Sequence, residues 1–256
     1  MTRLALVTGA ASGMGRIVAQ RLAAAGWEVA AVDLNGDGLG ETAKRSPNMH
    51  TYTCDVSDPD QVRAVVEKVR SEHGTIDRLV HAAGMAHVHA SALDHDVRQI
   101  KKMMDVNYIG TVNLCQAIIP TMKKAGTGEV ILFASVAGWL PSPGMAGYSA
   151  SKFAVVGFID SLAYELKDSG IRLLGLCPPM VETPFLESIR KENESVLGGA
   201  GGMSPEGVVD ALEKALSKPK NPLFVFPGQA YPTYLMRRFM PGVLRALVAR
   251  MVKPTD

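Results

Sequence analysis

Tyr148 and Lys152 stand four residues apart in the run Tyr148-Ser149-Ala150-Ser151-Lys152. On a helix that spacing sets a phenol and an ammonium on one face, close enough to influence each other. Their ordinary pKa values are ~10 and ~10.4, so an isolated phenol is a sluggish base at neutral pH. A neighbouring ammonium favours phenolate and is expected to lower the tyrosine pKa, giving a group that takes and returns a proton on an oxygen. A second constellation precedes it in Thr8-Gly9-Ala10-Ala11-Ser12-Gly13-Met14-Gly15. Glycines there permit a tight turn and let backbone approach a pyrophosphate, which then rests on the positive N-terminus of the following helix. One chain thus holds a candidate acid/base pair and a candidate dinucleotide cradle.

Both constellations need a rigid frame, and the hydrophobic pattern supplies one. Short apolar runs at Leu4–Thr8, Glu28–Val32, His50–Thr53, Arg78–His81, Glu129–Ala134, Arg172–Leu176 and Leu223–Phe226 read as strands. Most are hydrophobic throughout, as strands buried on both faces are. Helical periodicity fills Gly13–Ala25, Pro59–His73, Ile100–Lys124, Tyr148–Asp168 and Pro205–Ser217. The alternation predicts an α/β fold: one Rossmann-like, doubly wound parallel sheet of about seven strands with helices on both faces. Residues 1–228 form the expected catalytic domain. Residues 229–256 form a C-terminal amphipathic extension, expected to pack on the same domain or a neighbouring subunit. Gly198-Gly199-Ala200-Gly201-Gly202 is expected to be a mobile connection.

The spacing Thr-Gly-x-x-x-Gly-x-Gly resembles the short-chain dehydrogenase/reductase family, and the likeness can be followed along nearly the whole chain. The resemblance implies a nicotinamide dinucleotide held by Gly9, Ser12, Gly13, Met14 and Gly15. Asp33 closes the second strand 18 residues after Gly15. Its carboxylate would accept both ribose hydroxyls of NAD and repel the 2′-phosphate of NADP. Relatives that prefer NADP carry a basic residue where this chain has Ser12 or Leu34, so the expected cofactor is NAD. Asp55, followed by Val56, matches the residue that binds the adenine amino group. Ala83 and Gly84 follow the fourth strand, where His81-Ala82-Ala83-Gly84 replaces the family's Asn-Asn-Ala-Gly and puts the bracing of neighbouring strands in doubt. In Pro178-Pro179-Met180-Val181-Glu182-Thr183, Pro178, Val181 and Thr183 match the segment that holds the nicotinamide carboxamide, with Pro179 in place of the family's glycine.

The resemblance also completes the catalytic set. Ser135 matches the serine that polarises the substrate carbonyl, and Asn107 the asparagine that interrupts a long helix and links the lysine to solvent through water. Tyr148 becomes the acid/base; Lys152 also binds the nicotinamide ribose, and the cationic ring adds its pull toward phenolate. The tetrad Asn107, Ser135, Tyr148 and Lys152 is intact. Around Tyr148 the candidate substrate lining is Met85, Trp139, Leu140 and Met145, with Met180, Phe185 and Leu186 from the later loop. This apolar set favours a lipophilic alcohol or ketone over a sugar. The leading reading is an NAD-linked oxidoreductase for such a substrate. A fatty-acyl-type 3-oxoacyl-thioester reductase is an alternative, weakened by the missing NADP-binding basic residues. A catalytically silent nucleotide sensor is another, opposed by the complete tetrad.

Bulk properties fit this reading. A net charge of +2 gives no reason to expect nucleic acid as a partner. The cysteines Cys54, Cys115 and Cys177 are odd in number and far apart, as in a reducing compartment, and no signal peptide is apparent, so a cytoplasmic protein is expected. His81, His87, His89 and His95 fit no common zinc spacing, and no metal is expected there. The resemblance implies a homodimer or homotetramer paired through the helices near Ile100–Lys124 and Tyr148–Asp168. The tail from 223 to 256 carries five basic residues against Asp256 alone. After Pro241, residues Val243, Leu244, Leu247, Val248 and Met251 recur at helical spacing. The expectation is an ordered cover over pocket or partner, favoured over contact with an anionic membrane surface.

Overall fold

The computed structural model describes residues 2–44, 46–87, 91–141, 144–192, 201–228 and 230–251. Its centre is a seven-stranded sheet in the order β3-β2-β1-β4-β5-β6-β7. The strands are β1 (Leu4–Thr8), β2 (Glu28–Asp33), β3 (Met49–Thr53), β4 (Arg78–His81), β5 (Gly128–Phe133), β6 (Ile171–Leu176) and β7 (Phe224–Val225). All neighbours pair in parallel. The strand order reverses between β1 and β4, which opens a crevice at the carboxyl ends of the strands. β1 and β5 are buried along their whole length, which explains their unbroken hydrophobicity.

Helices cover both faces: α1 (Gly13–Ala24), α2 (Gly36–Ala43), α3 (Pro59–His73), α4 (Val97–Met104), α5 (Gly110–Ala125), α6 (Ala146–Glu165), α7 (Pro184–Glu192), α8 (Pro205–Leu216), α9 (Ala230–Phe239) and α10 (Pro241–Met251). Two hydrophobic clusters fill the two faces, one under α3, α5 and α6 and the other under α1 and α8. At the amino-terminal edge of the sheet, Glu129 takes ion pairs from Arg3, Arg78 and Arg172. Arg3 and Arg78 also lie over the Trp27 ring, at 3.8 and 4.4 Å from its centre. This knot fastens β1, β4, β5 and β6 at the end away from the crevice.

The structure adds to or departs from the sequence pattern at several helices. Gly36, Gly38 and Gly40 make α2 a poor helix former. It forms because Asn35 accepts a hydrogen bond from Gly38 N at 3.0 Å, Leu39 is buried, and Thr42 Oγ1 donates to Ala10 O at 2.9 Å. α7 starts at Pro184, with Leu186 and Ile189 buried one turn apart. α9 tolerates Pro232 because it lies in the first turn. The single helix expected over Ile100–Lys124 is instead α4 and α5 joined by a π-helical turn at Asp105–Ile109.

The described part of the tail is helical, α10 as the periodicity after Pro241 predicts, and α9 packs by Tyr234, whose ring lies 4.9 Å from Trp139 and 4.6 Å from Phe226. In α10 Leu244 is buried, whereas Val243 and Leu247 are exposed, so the expected apolar stripe is only partly covered. The side chains of Val248 and Met251 lie outside the described residues, as do His89, Lys253 and Gly198 to Ala200 of the glycine-rich connection. Among the described residues no helix is long and apolar enough to cross a membrane.

Candidate active site

The glycine turn lies between β1 and α1 and is built for close backbone approach. Gly9 has φ 68°, and a Cβ there would stand 2.7 Å from Ala83 N. A Cβ on Gly15 would stand 2.1 Å from Gly9 O, so only glycine lets α1 begin this close to the strand. Gly13, at φ 53°, faces Thr183, which brings the late loop to the same turn. Ser12 is extended and exposed, and its side chain makes no capping bond at the start of α1. The first amides of that helix therefore have no side-chain cap, as an anion site requires.

Asp33 ends β2 beside this turn, where its carboxylate accepts from Ala11 N and Asn35 N, both at 3.0 Å. Each oxygen keeps acceptor capacity for a further donor. Leu34 points to solvent, and no cation flanks Asp33 in sequence. Asp55 is half-buried; its Oδ1 accepts from Ser57 N and Ser57 Oγ, at 2.9 and 2.6 Å, while Val56 is buried. The loop after β4 is held by Asn107. Its Oδ1 accepts from Met85 N and its Nδ2 donates to Met85 O, both at 2.8 Å, and Nδ2 also reaches Ser151 Oγ at 2.9 Å. This explains an asparagine inside a helix: the π-turn projects its amide onto Met85.

The doubt over strand bracing is resolved by His81. Its Nδ1 lies 2.7 Å from Thr8 Oγ1, and the same oxygen accepts from Ala83 N at 3.3 Å. Burial holds the His81 pKa down to about 3, so the ring is neutral and joins β4 to β1 without adding charge. His81 is thus a brace. The residue type hid that role, which depends on Thr8 lying opposite in the β1–β4 register.

Tyr148, Ser135 and Lys152 meet at the carboxyl end of β5. Ser135 leaves that strand and its Oγ accepts from Ala137 N at 3.1 Å. Lys152 is 5% exposed; its Nζ donates to Phe133 O at 2.8 Å and lies 5.9 Å from the centre of the Tyr148 ring. A Cβ on Gly84 would stand 3.6 Å from that Nζ, so the β4 loop closes over the lysine. The expectation of a lowered tyrosine pKa is corrected here. Burial pushes Tyr148 up to about 12, against a smaller opposing pull from the Ser135 hydroxyl. Burial likewise pulls Lys152 down to about 8. Desolvation is the larger influence on both groups.

The lining residues divide. Phe185 lies beside the phenol, its ring 6.2 Å from that of Tyr148, and Met85, Leu140, Met145 and Met180 are each half-buried. Leu186 is buried under α7. Trp139 is committed elsewhere: it packs edge-on to Phe224 and Tyr234, and its Nε1 lies 3.4 Å from Cys177 Sγ. Pro178 and Val181 are buried; Pro178 O accepts from Val136 N at 3.0 Å, and Thr183 Oγ1 lies 3.2 Å from Val181 O. The segment is pinned to the catalytic strand end. Tyr234 and Phe226 were not anticipated as partners of Trp139, since only the fold brings α9 there.

Comparison with known proteins agrees with this geometry. A family described as short chain dehydrogenase matches residues 3–194. The chain is 38% identical over 196 residues to 2-(R)-hydroxypropyl-CoM dehydrogenase of Xanthobacter autotrophicus, covering 73% of this chain and 78% of that one. It is 34% identical over 208 residues to 2-dehydro-3-deoxy-L-rhamnonate dehydrogenase (NAD(+)) of a Sphingomonas species, covering 81% and 84%. The solved closed form of a serine dehydrogenase complexed with NADP+ superposes with a TM-score of 0.81 at 26% identity, covering 87% of this chain and 93% of that one.

Proposed function

This chain belongs to the short-chain dehydrogenase family, and we propose from that premise that it transfers hydride between NAD(H) and a lipophilic secondary alcohol or its ketone. The carrying observation is the meeting of Tyr148, Ser135 and Lys152 beside a glycine turn that only backbone can fill. These residues fit a nicotinamide dinucleotide. Gly9, Ser12, Gly13, Met14 and Gly15 would hold the pyrophosphate, Asp33 with Leu34 the adenosine ribose, and Asp55 with Val56 the adenine. Ala83, Gly84, Pro178, Val181 and Thr183 would line the nicotinamide side.

When bound, the cofactor supplies or accepts the hydride. Everything else is work for this chain. Tyr148 gives a proton to the ketone oxygen, or takes it from the alcohol. Burial holds the phenol protonated at neutral pH, which suits the reductive direction. Ser135 donates to the same oxygen, and Lys152 offsets negative charge on the phenol oxygen while reaching toward the ribose. Asn107 acts one step back, by fixing Met85 and Ser151.

The relatives' names include both NAD and NADP proteins, so NAD rests on Asp33 and the absence of a flanking cation. The named substrates differ from one another, so the substrate class rests on Met85, Leu140, Met145, Met180 and Phe185. Aliphatic and aromatic methyl ketones assayed against polyol and sugar-acid substrates test it: higher kcat/KM for the latter would reject the lipophilic reading. Pairing through α5 and α6 into a homodimer or homotetramer is supported by the exposed Phe153 and Tyr164 on α6 and Ile109 at the end of the π-turn that leads into α5. Light scattering of Phe153→Glu should show a smaller species.

A further inference from the structure

At the end of the sheet opposite the crevice, three elements bring metal-binding side chains together. Glu28 opens β2, His50 is the second residue of the edge strand β3, and His73 is the last residue of α3. One ligand atom from each lies within 4.8 Å of the others. His50 Nε2 is 2.8 Å from Glu28 Oε2, and the two imidazoles stack with centres 3.9 Å apart.

The surrounding hydrogen bonds decide which nitrogens are available. The Tyr52 hydroxyl has one proton, and it is donated to Glu72 Oε2 at 2.7 Å. The 2.9 Å contact between Tyr52 and His73 Nε2 must therefore have the imidazole N–H as donor. That fixes the tautomer of His73 and leaves a lone pair on Nδ1. A ligating histidine whose other nitrogen donates to an oxygen partner is the usual outer arrangement of a metal site, and here it runs His73–Tyr52–Glu72. Glu28 and Glu72 carry two negative charges, against which Lys68 sets one positive charge, 4.0 Å from Glu72.

We propose that Glu28, His50 and His73 form a binding site for a zinc-type divalent cation, which ties β2, the edge strand β3 and the end of α3. Two imidazoles and one carboxylate suit zinc and its borderline neighbours, and poorly suit magnesium or calcium, which prefer all-oxygen sets. Tetrahedral bonds of about 2.1 Å place ligand atoms about 3.4 Å apart. Reaching that spacing from the 4.8 Å limit requires the stacked rings to reorient, and all three side chains are partly exposed. Water completes the coordination. The site lies at the far ends of the strands from Tyr148, so its loading should stiffen the sheet edge and leave hydride transfer alone.

The test is a zinc chloride titration of chelator-treated, tag-free protein, read by thermal unfolding and by calorimetry. One zinc per chain and a rise in Tm of about 5 °C at a hundredfold excess over Kd are expected. Magnesium chloride should give no rise. His50→Ala and His73→Gln should each weaken zinc binding at least about tenfold, with NADH affinity unchanged. The glutamine variant keeps a donor for Tyr52 and guards against loss of the local fold. No binding to the parent protein, or equal binding in both variants, overturns the site.

Discussion

The Lys152 ammonium lies 5.9 Å from the centre of the Tyr148 ring, with both side chains buried and the ammonium spending a hydrogen bond on Phe133 O. Burial penalises the charged form of each, so Tyr148 sits at about 12 and Lys152 at about 8. Below pH 8 the site holds a neutral phenol beside a cation, the pairing ketone reduction needs. We predict that kcat/KM for reduction is highest below about pH 8 and falls as Lys152 loses its charge. Alcohol oxidation, which releases a proton, should rise toward alkaline pH. A reduction rate constant flat from pH 6 to 10 would contradict this assignment.

The same burial costs stability. Below pH 8 folded and unfolded chains both carry the Lys152 proton, and the cost of burying it is fully present. Between about 8 and the unfolded value near ~10.4, the unfolded chain binds more protons, so this residue's contribution favours folding as pH rises. Lys152→Met should therefore abolish turnover yet raise Tm at pH 7 by roughly 2–4 °C, a gain of about 1 kcal/mol that fades by pH 10. A lower Tm at pH 7 would show that the bond to Phe133 O outweighs the buried charge.

Asp33 should set cofactor choice. With its carboxylate beside the glycine turn and Leu34 in solvent, the enzyme should prefer NADH to NADPH by at least about tenfold in kcat/KM, as one charged hydrogen bond allows. Asp33→Ala combined with Leu34→Arg should reverse the order. Paired initial rates at subsaturating cofactor decide it, and equal use of NADPH by the parent protein refutes the role.

Glu129 should be the costliest charge to remove away from the site. Three guanidiniums converge on its buried carboxylate. Glu129→Ala would leave them uncompensated and should cost about 3 kcal/mol, read by urea unfolding, while the folded fraction keeps its KM. A loss under about 1 kcal/mol would mean that solvent replaces the carboxylate freely.

The tail makes a further test of the fold. Ending the chain after Gly228 removes Tyr234 from Trp139 and Phe226. Trp139 should then shift its emission to longer wavelength, and Tm should fall by several degrees, about 1–2 kcal/mol of aromatic packing. Unchanged emission and Tm would make α9 a passenger.

Much of this architecture was legible in the chain because its signals are local. β1 and β4 were bounded correctly by apolar runs, and α3 by helical periodicity over Pro59–His73. The tetrad was legible through the resemblance to the short-chain dehydrogenase/reductase motifs, since Ser135 and Asn107 alone carry no signal. What stayed hidden depends on distant partners. Helix α2 is stabilised by Ala10 and Asn35 against its own glycines, and His81 finds Thr8 only through sheet register. The upward shift of Tyr148 reflects burial, which a four-residue motif does not display. The histidines near Gly84 drew attention as metal ligands, whereas Glu28, His50 and His73 are scattered in sequence and meet only in the sheet.

The central claim, that Tyr148 carries the proton, is tested most directly by Tyr148→Phe. The change removes one hydroxyl from a buried ring and leaves Lys152, Asp33 and the glycine turn in place. Ketone reduction should be followed by NADH absorbance, and NADH affinity by fluorescence titration. The account predicts a fall in kcat of at least about 100-fold, the scale of lost general acid catalysis, with the NADH Kd within a factor of about three. A phenylalanine variant that retains a substantial share of the parent rate would place the proton on another residue.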